Sequence, residues 1–516
     1  MFRRRWKRIV LILLMPWVIL GILLAGFLGV ERVRGKISLA RYKRELAAKG
    51  LKLSPSEFLP KPDPKEDNGA PELWAAVDRL SKETITTTNP PPRMRVLPSG
   101  RAVICFREDF WADDKVTNRW DDVAEELKQN EEALKQIRVL LQKPVLRTKM
   151  DYEAGPKALF PHLPKAKRLT YWFWTSSQLA LHEGRSEDAL EDLLTQIRIP
   201  RSLAEDRILI SELVRVAIAA IARNGTWEAL QSGTWTEKQL GQIQQGWEQQ
   251  EFATAMTRSL EGEIVFGETS FVLMRKSNEE TASILFGLEE NFGTDEDERP
   301  LWERVVKAMP YGDEIAKFVK HQVYSRVWRF AWLDQDERYY LQFLEELLNS
   351  GRRAAKSKSM AELDNDTSKL AVQISKRNAY DRLRFPSFDS AGSLIRAIAR
   401  ALRAETERSI IISAVALKRF QLRHGNPPQT LDSLVPEIVS SVPVDYMDGN
   451  PIRYRLNPDG QFVLYSVGED EQDDAGSTAL RAGKSSQRNL WDRKDFVWPG
   501  PATTEEMNEY RKGGNK

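Results

Sequence analysis

Read from its N-terminus, the chain sets long stretches of helical hydrophobic spacing against a few short stretches that alternate like strands. Residues 9–30 carry no charge over 22 positions. As a helix that run spans roughly 33 Å, enough for the hydrocarbon core of a bilayer. Arg3, Arg4, Arg5, Lys7 and Arg8 precede it, and Arg32, Arg34, Lys36, Arg41, Lys43 and Arg44 follow. Pro16 kinks such a helix without disqualifying it. The run is longer than a signal-peptide core, and no A-x-A site precedes Glu31. "LLAGF" at 23–27 has Phe27 where a lipobox needs its cysteine. The pattern predicts a retained transmembrane helix. The dense basic cluster before it places the N-terminus inside and the rest of the chain outside the cytoplasm.

After the span, residues 31–50 continue the helical pattern to Gly50, and 59–71 form a Pro/Asp-rich linker. Residues 93–106 alternate around Pro98-Ser99-Gly100, as a small hairpin does. From about 118 to 350 the pattern is helical throughout. Val123, Leu127, Leu134, Ile137 and Leu141 mark one apolar stripe. Two helices meet around Gly184-Arg185, with Ala189, Leu190, Leu193 and Ile197 on the second. This hairpin looks like the second half of a tetratricopeptide unit, with a small residue at a close approach, but no second copy follows. Residues 214–221 are apolar nearly all round, which predicts a central helix. Residues 277–300 read as an acidic loop and 351–368 as a polar stretch, with a boundary near 385.

Charge changes the picture at one end only. Net charge is +3, yet residues 1–44 alone balance at +10, which leaves the remainder at −7. A near-neutral to acidic body carries no electrostatic footprint for nucleic acid. Cys105 is the single cysteine, so no intrachain disulfide or thiolate cluster can form; it alternates with apolar residues and reads as a buried hydrophobe. His162, His182, His321 and His424 show no i, i+4 pair, and no Walker loop, G-x-G-x-x-G or G-x-S-x-G occurs. The sequence therefore points to no catalytic residue and no organic cofactor. One alternative remains: Glu261 and Glu268 share a face of the 251–275 helix, where Arg258 can pair with Glu261. Such a carboxylate pair could serve as acid and base of an envelope hydrolase.

The C-terminal region has a different grammar. A long helix over about 391–424 ends at Gly425 and Pro427-Pro428, and a short helix carries Leu431, Leu434 and Val435. "IRYRL" and "QFVLYSV" alternate as hairpin strands between turn sequences, and "DFVWP" at 495–499 can add a third. This order resembles the globular end of the major pseudopilin of type II secretion systems. The matching residues are Ala416, Leu417, Phe420, Gly425, Pro428, Leu431, Leu434, Val435 and Pro436. Pro443, Asp445, Gly449, Pro451, Tyr454, Tyr465, Ser466, Gly468 and Asp470 continue the match. It covers about 65 to 80 residues. The chain departs from the family in having its apolar span some 390 residues upstream and no prepilin-peptidase site before it. The resemblance implies calcium binding in the loop after the strand, where Asp470, Asp473 and Asp474 would supply carboxylates. The other reading of that loop is a solvated acidic turn.

The expected fold class is mainly α: a membrane-anchored helical-bundle body with a small α+β pseudopilin-like C-terminal module. The expected divisions are a basic tail (1–8), a transmembrane helix (9–30), a juxtamembrane helix with linker and hairpin (31–117), an α-helical domain (118–385) and the α+β module (386–516). The expected role is protein interaction or scaffolding at a bacterial inner (cytoplasmic) membrane, in association with a secretion-like envelope machine.

Overall fold

A computed structural model describes residues 2–61, 65–91, 94–112, 117–292, 311–387, 391–458, 460–486 and 489–513. The protein is mainly helical, with 67% helix and 6% strand, so the strands serve only as small local sheets. Apolar residues at helical spacing dictate the helices, and their burial orders them. Trp172, Trp174, Trp227, Trp247 and Trp328 are all fully enclosed. Val123, Leu127, Leu134 and Ile137 are buried as the stripe requires, on two short helices, Trp120–Gln129 and Glu131–Leu140, and Leu141 is buried as the cap of the second.

The helices pack in sequence across the body. His162–His182 lies on Ser186–Arg198 and on Leu209–Leu230, and the last of these packs on Ala391–His424. Ala253–Lys276 packs on Leu333–Ser357, which in turn packs on the N-terminal helix Phe2–Ala48. Leu209–Leu230 is central, as its apolar middle predicts: Ile218 and Ala222 are fully buried. At Gly262 the Ala253–Lys276 helix meets the 204–208 connection so closely that a Cβ would stand 1.8 Å from the Arg207 carbonyl oxygen.

Four expectations are corrected. Residues 277–300 are not a loop over their first part: Asn278–Phe292 is a helix, and 293–300 lie outside the described residues. Residues 351–368 do not break the helical pattern either, since Leu333–Ser357 and Met360–Ser375 cover them with a short turn between. Polar composition misled here because these helices bury only one face, including Leu347, Leu348, Ala354 and Leu363. Helix is interrupted over 141–161, where a 3₁₀ segment, Tyr152–Lys157, intervenes. Gly184 joins its two helices as expected, but no neighbour approaches it within 4 Å; it is there for its left-handed backbone, φ 72°.

The hairpin strands β1 (Arg95–Val96) and β2 (Ala102–Val103) form as read, and Cys105 is buried just beyond them. β3 (Phe110–Ala112) and β4 (Thr117–Arg119) make a second small ribbon. In the C-terminal region β5 (Arg453–Leu456) pairs antiparallel with β6 (Phe462–Ser466) in the register Arg453–Tyr465, and β7 (Phe496–Val497) adds the third strand. This sheet does not have a core of its own. Leu464, Val467, Phe496 and Trp498 belong to the same apolar cluster as Leu240, Trp247 and Leu344 of the body. The hairpin also meets the C-terminal segment: Ala102 N donates to Gly500 O at 2.9 Å and Ala502 N to Ala102 O at 2.8 Å.

Candidate functional site

The N-terminal helix holds two environments on one continuous 47-residue rod. Its Leu14–Ala48 portion is long and apolar enough to cross a membrane. Leu14, Trp17, Leu20, Leu23 and Leu24 stand exposed on it. Past the apolar run the same helix buries Glu31, Gly35, Leu39, Tyr42 and Leu46, spaced at one face. That face lies on Leu333–Ser357. Gly35 permits the close approach, since a Cβ there would meet Gln335 Cγ at 3.0 Å.

Charged side chains tie the two helices together inside the contact. Gln335 Nε2 donates to the Glu31 carbonyl at 2.8 Å and to its carboxylate at 3.0 Å. Arg384 Nη1 lies 3.5 Å from the same carboxylate. Tyr42 donates to Glu345 at 2.6 Å, and Lys49 reaches the other oxygen of that carboxylate at 2.6 Å. Deepest is a mixed cluster: Lys43 bridges Glu268 and Glu337, while Arg275 binds Asp334 at 2.6 Å and also Glu337. The Glu337 side chain is fully buried. Burial, and then the neighbouring charge of Glu268, push its carboxyl well above the usual range against the pull of Arg275 and Lys43.

This cluster takes up one member of the carboxylate pair that the sequence offered as an alternative site. Glu261 is tied to Arg352 and Glu268 to Lys43, so the two do not converge. Seven residues of helix separate them by roughly 10 Å. Arg258 pairs with Glu251 instead of Glu261. The neighbour of Glu268 is Glu337, from another helix. One sequence signal could have found it: Glu337 occupies a core position in the stripe Leu333, Leu341, Leu344, Leu348.

Histidine is drawn into structure as well. His162 Nε2 and Ser211 Oγ both bond Asp206 Oδ2, at 2.7 and 2.6 Å, and all three residues are buried. The carboxylate stands between the other two, so the imidazole cannot take the serine proton. A polar cavity of about 290 Å³ is lined by Arg198, Arg201, Arg215, Gln245, Glu251 and Arg258, among others. Arg215 there is spent on Glu212 and on two backbone carbonyls, and Arg258 on Glu251.

The C-terminal module is knotted at Asp445, which is fully buried. Its carboxylate accepts from Thr406 Oγ1 (3.2 Å), Met447 N (3.0 Å), Ser466 Oγ (2.9 Å) and Val467 N (3.0 Å). Burial outweighs these donors and raises the carboxyl above its ordinary value. Turn and strand bonds surround the knot: Ile452 N donates to Pro443 O, Gly449 N to Asp445 O, and Tyr454 OH to Pro428 O.

The acidic loop is not gathered around a point. Asp470 accepts from Gln472 N at 3.3 Å. Asp473 accepts from Tyr465 OH at 3.0 Å and lies 3.8 Å from Arg453. Asp474 pairs with Lys494 at 2.8 Å, and Glu469 sits between Arg403 and Arg481. No group of three or more metal-ligating side chains converges among the described residues. Calcium takes six to eight converging oxygens. Of the three aspartates, Asp473 and Asp474 each face a cation, Arg453 and Lys494, and Asp470 is held by its own turn.

Fold and site together define a mainly helical protein with one long apolar N-terminal helix clamped to its body by buried ions. Comparison with family models, with curated proteins and with solved structures finds no match for the chain.

Proposed function

We propose that the chain is a single-pass protein of the bacterial inner membrane whose body, outside the cytoplasm, works by protein interaction or scaffolding. One observation carries this reading. The helix that is exposed and apolar over residues 14–24 continues without a break into a face sealed onto Leu333–Ser357 by Glu31, Tyr42 and Lys43. A body held that rigidly at the end of a span stands at a fixed distance from the bilayer. The pseudopilin-like pattern around Asp445 supports a secretion-type envelope machine as the partner class. The hydrolase reading has less behind it, since Glu261 and Glu268 are bound to different cations.

A reporter fused after Lys516 tests the topology. Activity of alkaline phosphatase there, with the fusion in the membrane fraction, is the expected result. A fusion fluorescent only as a cytoplasmic reporter, or one released by salt washing, overturns it. Cross-linking from solubilised membranes then identifies the partner.

A further inference from the structure

Beside the point where the N-terminal helix leaves its apolar run lies a second apolar surface. It is carried by Gly312–Phe318, the π-helical turn Val319–Tyr324 and Ser325–Ala331. Tyr311 is 79% exposed, Ile315 44%, Phe318 61%, Val323 48% and Phe330 47%. Ile315 and Phe318 fall at i and i+3, one face of the helix, and exposed Tyr311 stands at its N-cap with a left-handed backbone, φ 59°. The wider π turn then slows the winding, which keeps Val323 and Phe330 near the same stripe. Asp313, two residues before Ile315, falls on the opposite side of the helix.

Its position is set by contacts with the anchor. The Arg32 guanidinium lies 4.6 Å from the Phe330 ring centre, and the rings of Phe27 and Tyr380 are 6.4 Å apart. Leu28 packs against the cluster of Trp328, Trp332 and Phe271. Phe27 and Leu28 belong to the last turn of the uncharged run, so Phe330 and Tyr380 sit at the depth where the hydrocarbon ends. Tyr324 OH donates to Leu383 O at 2.8 Å and Trp328 Nε1 to Arg384 O at 3.0 Å, which joins Ala379–Arg384 to the same surface. Leu383 there is 43% exposed. Arg34, Arg326 and Arg382 stand exposed around it.

We infer that this surface is a second membrane contact: the stripe from Tyr311 to Phe330 lies in the bilayer interface, with the arginines among lipid headgroups. An apolar face flanked by arginines, fixed at the level of the acyl-chain ends, meets the requirements of an interfacial helix. The inference rests on the reading of residues 9–30 as a transmembrane span. It makes the membrane a surface that orients the body, besides the place where it is tethered.

Depth-dependent quenching tests it on the full chain in nanodiscs that contain spin-labelled lipids. Cysteine is introduced singly as Phe318→Cys, Val323→Cys, Leu20→Cys and Leu422→Cys, and each is labelled with bimane; Cys105 is buried and stays unlabelled. Leu422 lies in the last turn of Ala391–His424 and serves as the exposed reference. The expected result is a loss of about twofold or more at 20, 318 and 323, with none at 422. Quenching at 20 but not at 318 or 323 overturns the interfacial contact and leaves the anchor standing. No quenching at 20 overturns the anchor and this inference with it. A blue-shifted but unquenched probe at 318 and 323 identifies a protein cover, a second copy included, and rejects the lipid contact.

Discussion

Replacing Lys43 by methionine probes the junction between anchor and body. The ammonium bridges Glu268 and Glu337; Arg275 serves Glu337 and Asp334. Without Lys43, a fully buried carboxylate stands beside one whose side chain is 10% exposed, with Arg275 as the cation at hand. Removing one member of a buried ion pair costs about 3–5 kcal/mol. The Lys43 side chain keeps 27% exposure, so water can enter the gap. That screening brings the expected cost to about 2–3 kcal/mol. Methionine retains the packing of the lysine stem, so the loss is electrostatic.

The same reasoning fixes its pH dependence. With the cation gone, the folded state holds the proton on Glu337 to still higher pH, while an unfolded glutamate releases its own at about pH 4.3. The folded variant then binds more protons than the unfolded chain across roughly pH 5 to 8, so its stability falls as pH rises through that window. Urea unfolding of the full chain in nanodiscs, followed by tryptophan fluorescence, should show a small deficit at pH 5 and the full one at pH 8. Adding Glu337→Gln should recover most of it. Equal deficits at the two pH values, or no recovery with Glu337→Gln, would refute the buried-cluster account.

Three further outcomes follow from the geometry. Gly262→Ala gains about 1 kcal/mol of helix propensity, but its methyl meets the Arg207 carbonyl, so a net loss of about 2 kcal/mol is expected; an unchanged or higher melting temperature would reject the close approach. Asp445→Ala strands two backbone N–H groups and two hydroxyls, for about 3–5 kcal/mol, and should open residues 440–500 to proteolysis first. Wild-type cleavage kinetics in that region would dismiss Asp445 as the knot. Calcium or chelator should leave the melting of the full chain unmoved, whereas a calcium-dependent rise that Asp470→Ala abolishes would restore the loop as an ion site.

What the sequence by itself determined is what depends on local pattern. Residues 9–30 are apolar whatever surrounds them. The 391–424 stripe stops where Gly425 and Pro427 end any helix, and β5 and β6 alternate about a turn that sets their register. Cys105 is apolar-flanked and buried for the same local reason. Tertiary structure alone decided where the charges go. Glu268, Glu337 and Lys43 are polar residues at positions a helix pattern assigns to the core, and only the docking of three helices far apart in sequence supplies their counter-ions. The acidic loop is the converse case. Five carboxylates in six positions look like an ion site in one dimension. In three dimensions Arg403 and Arg481 meet Glu469, Arg453 lies near Asp473 and Lys494 pairs with Asp474, and a side chain binds what lies within a few ångströms, not what is near in sequence.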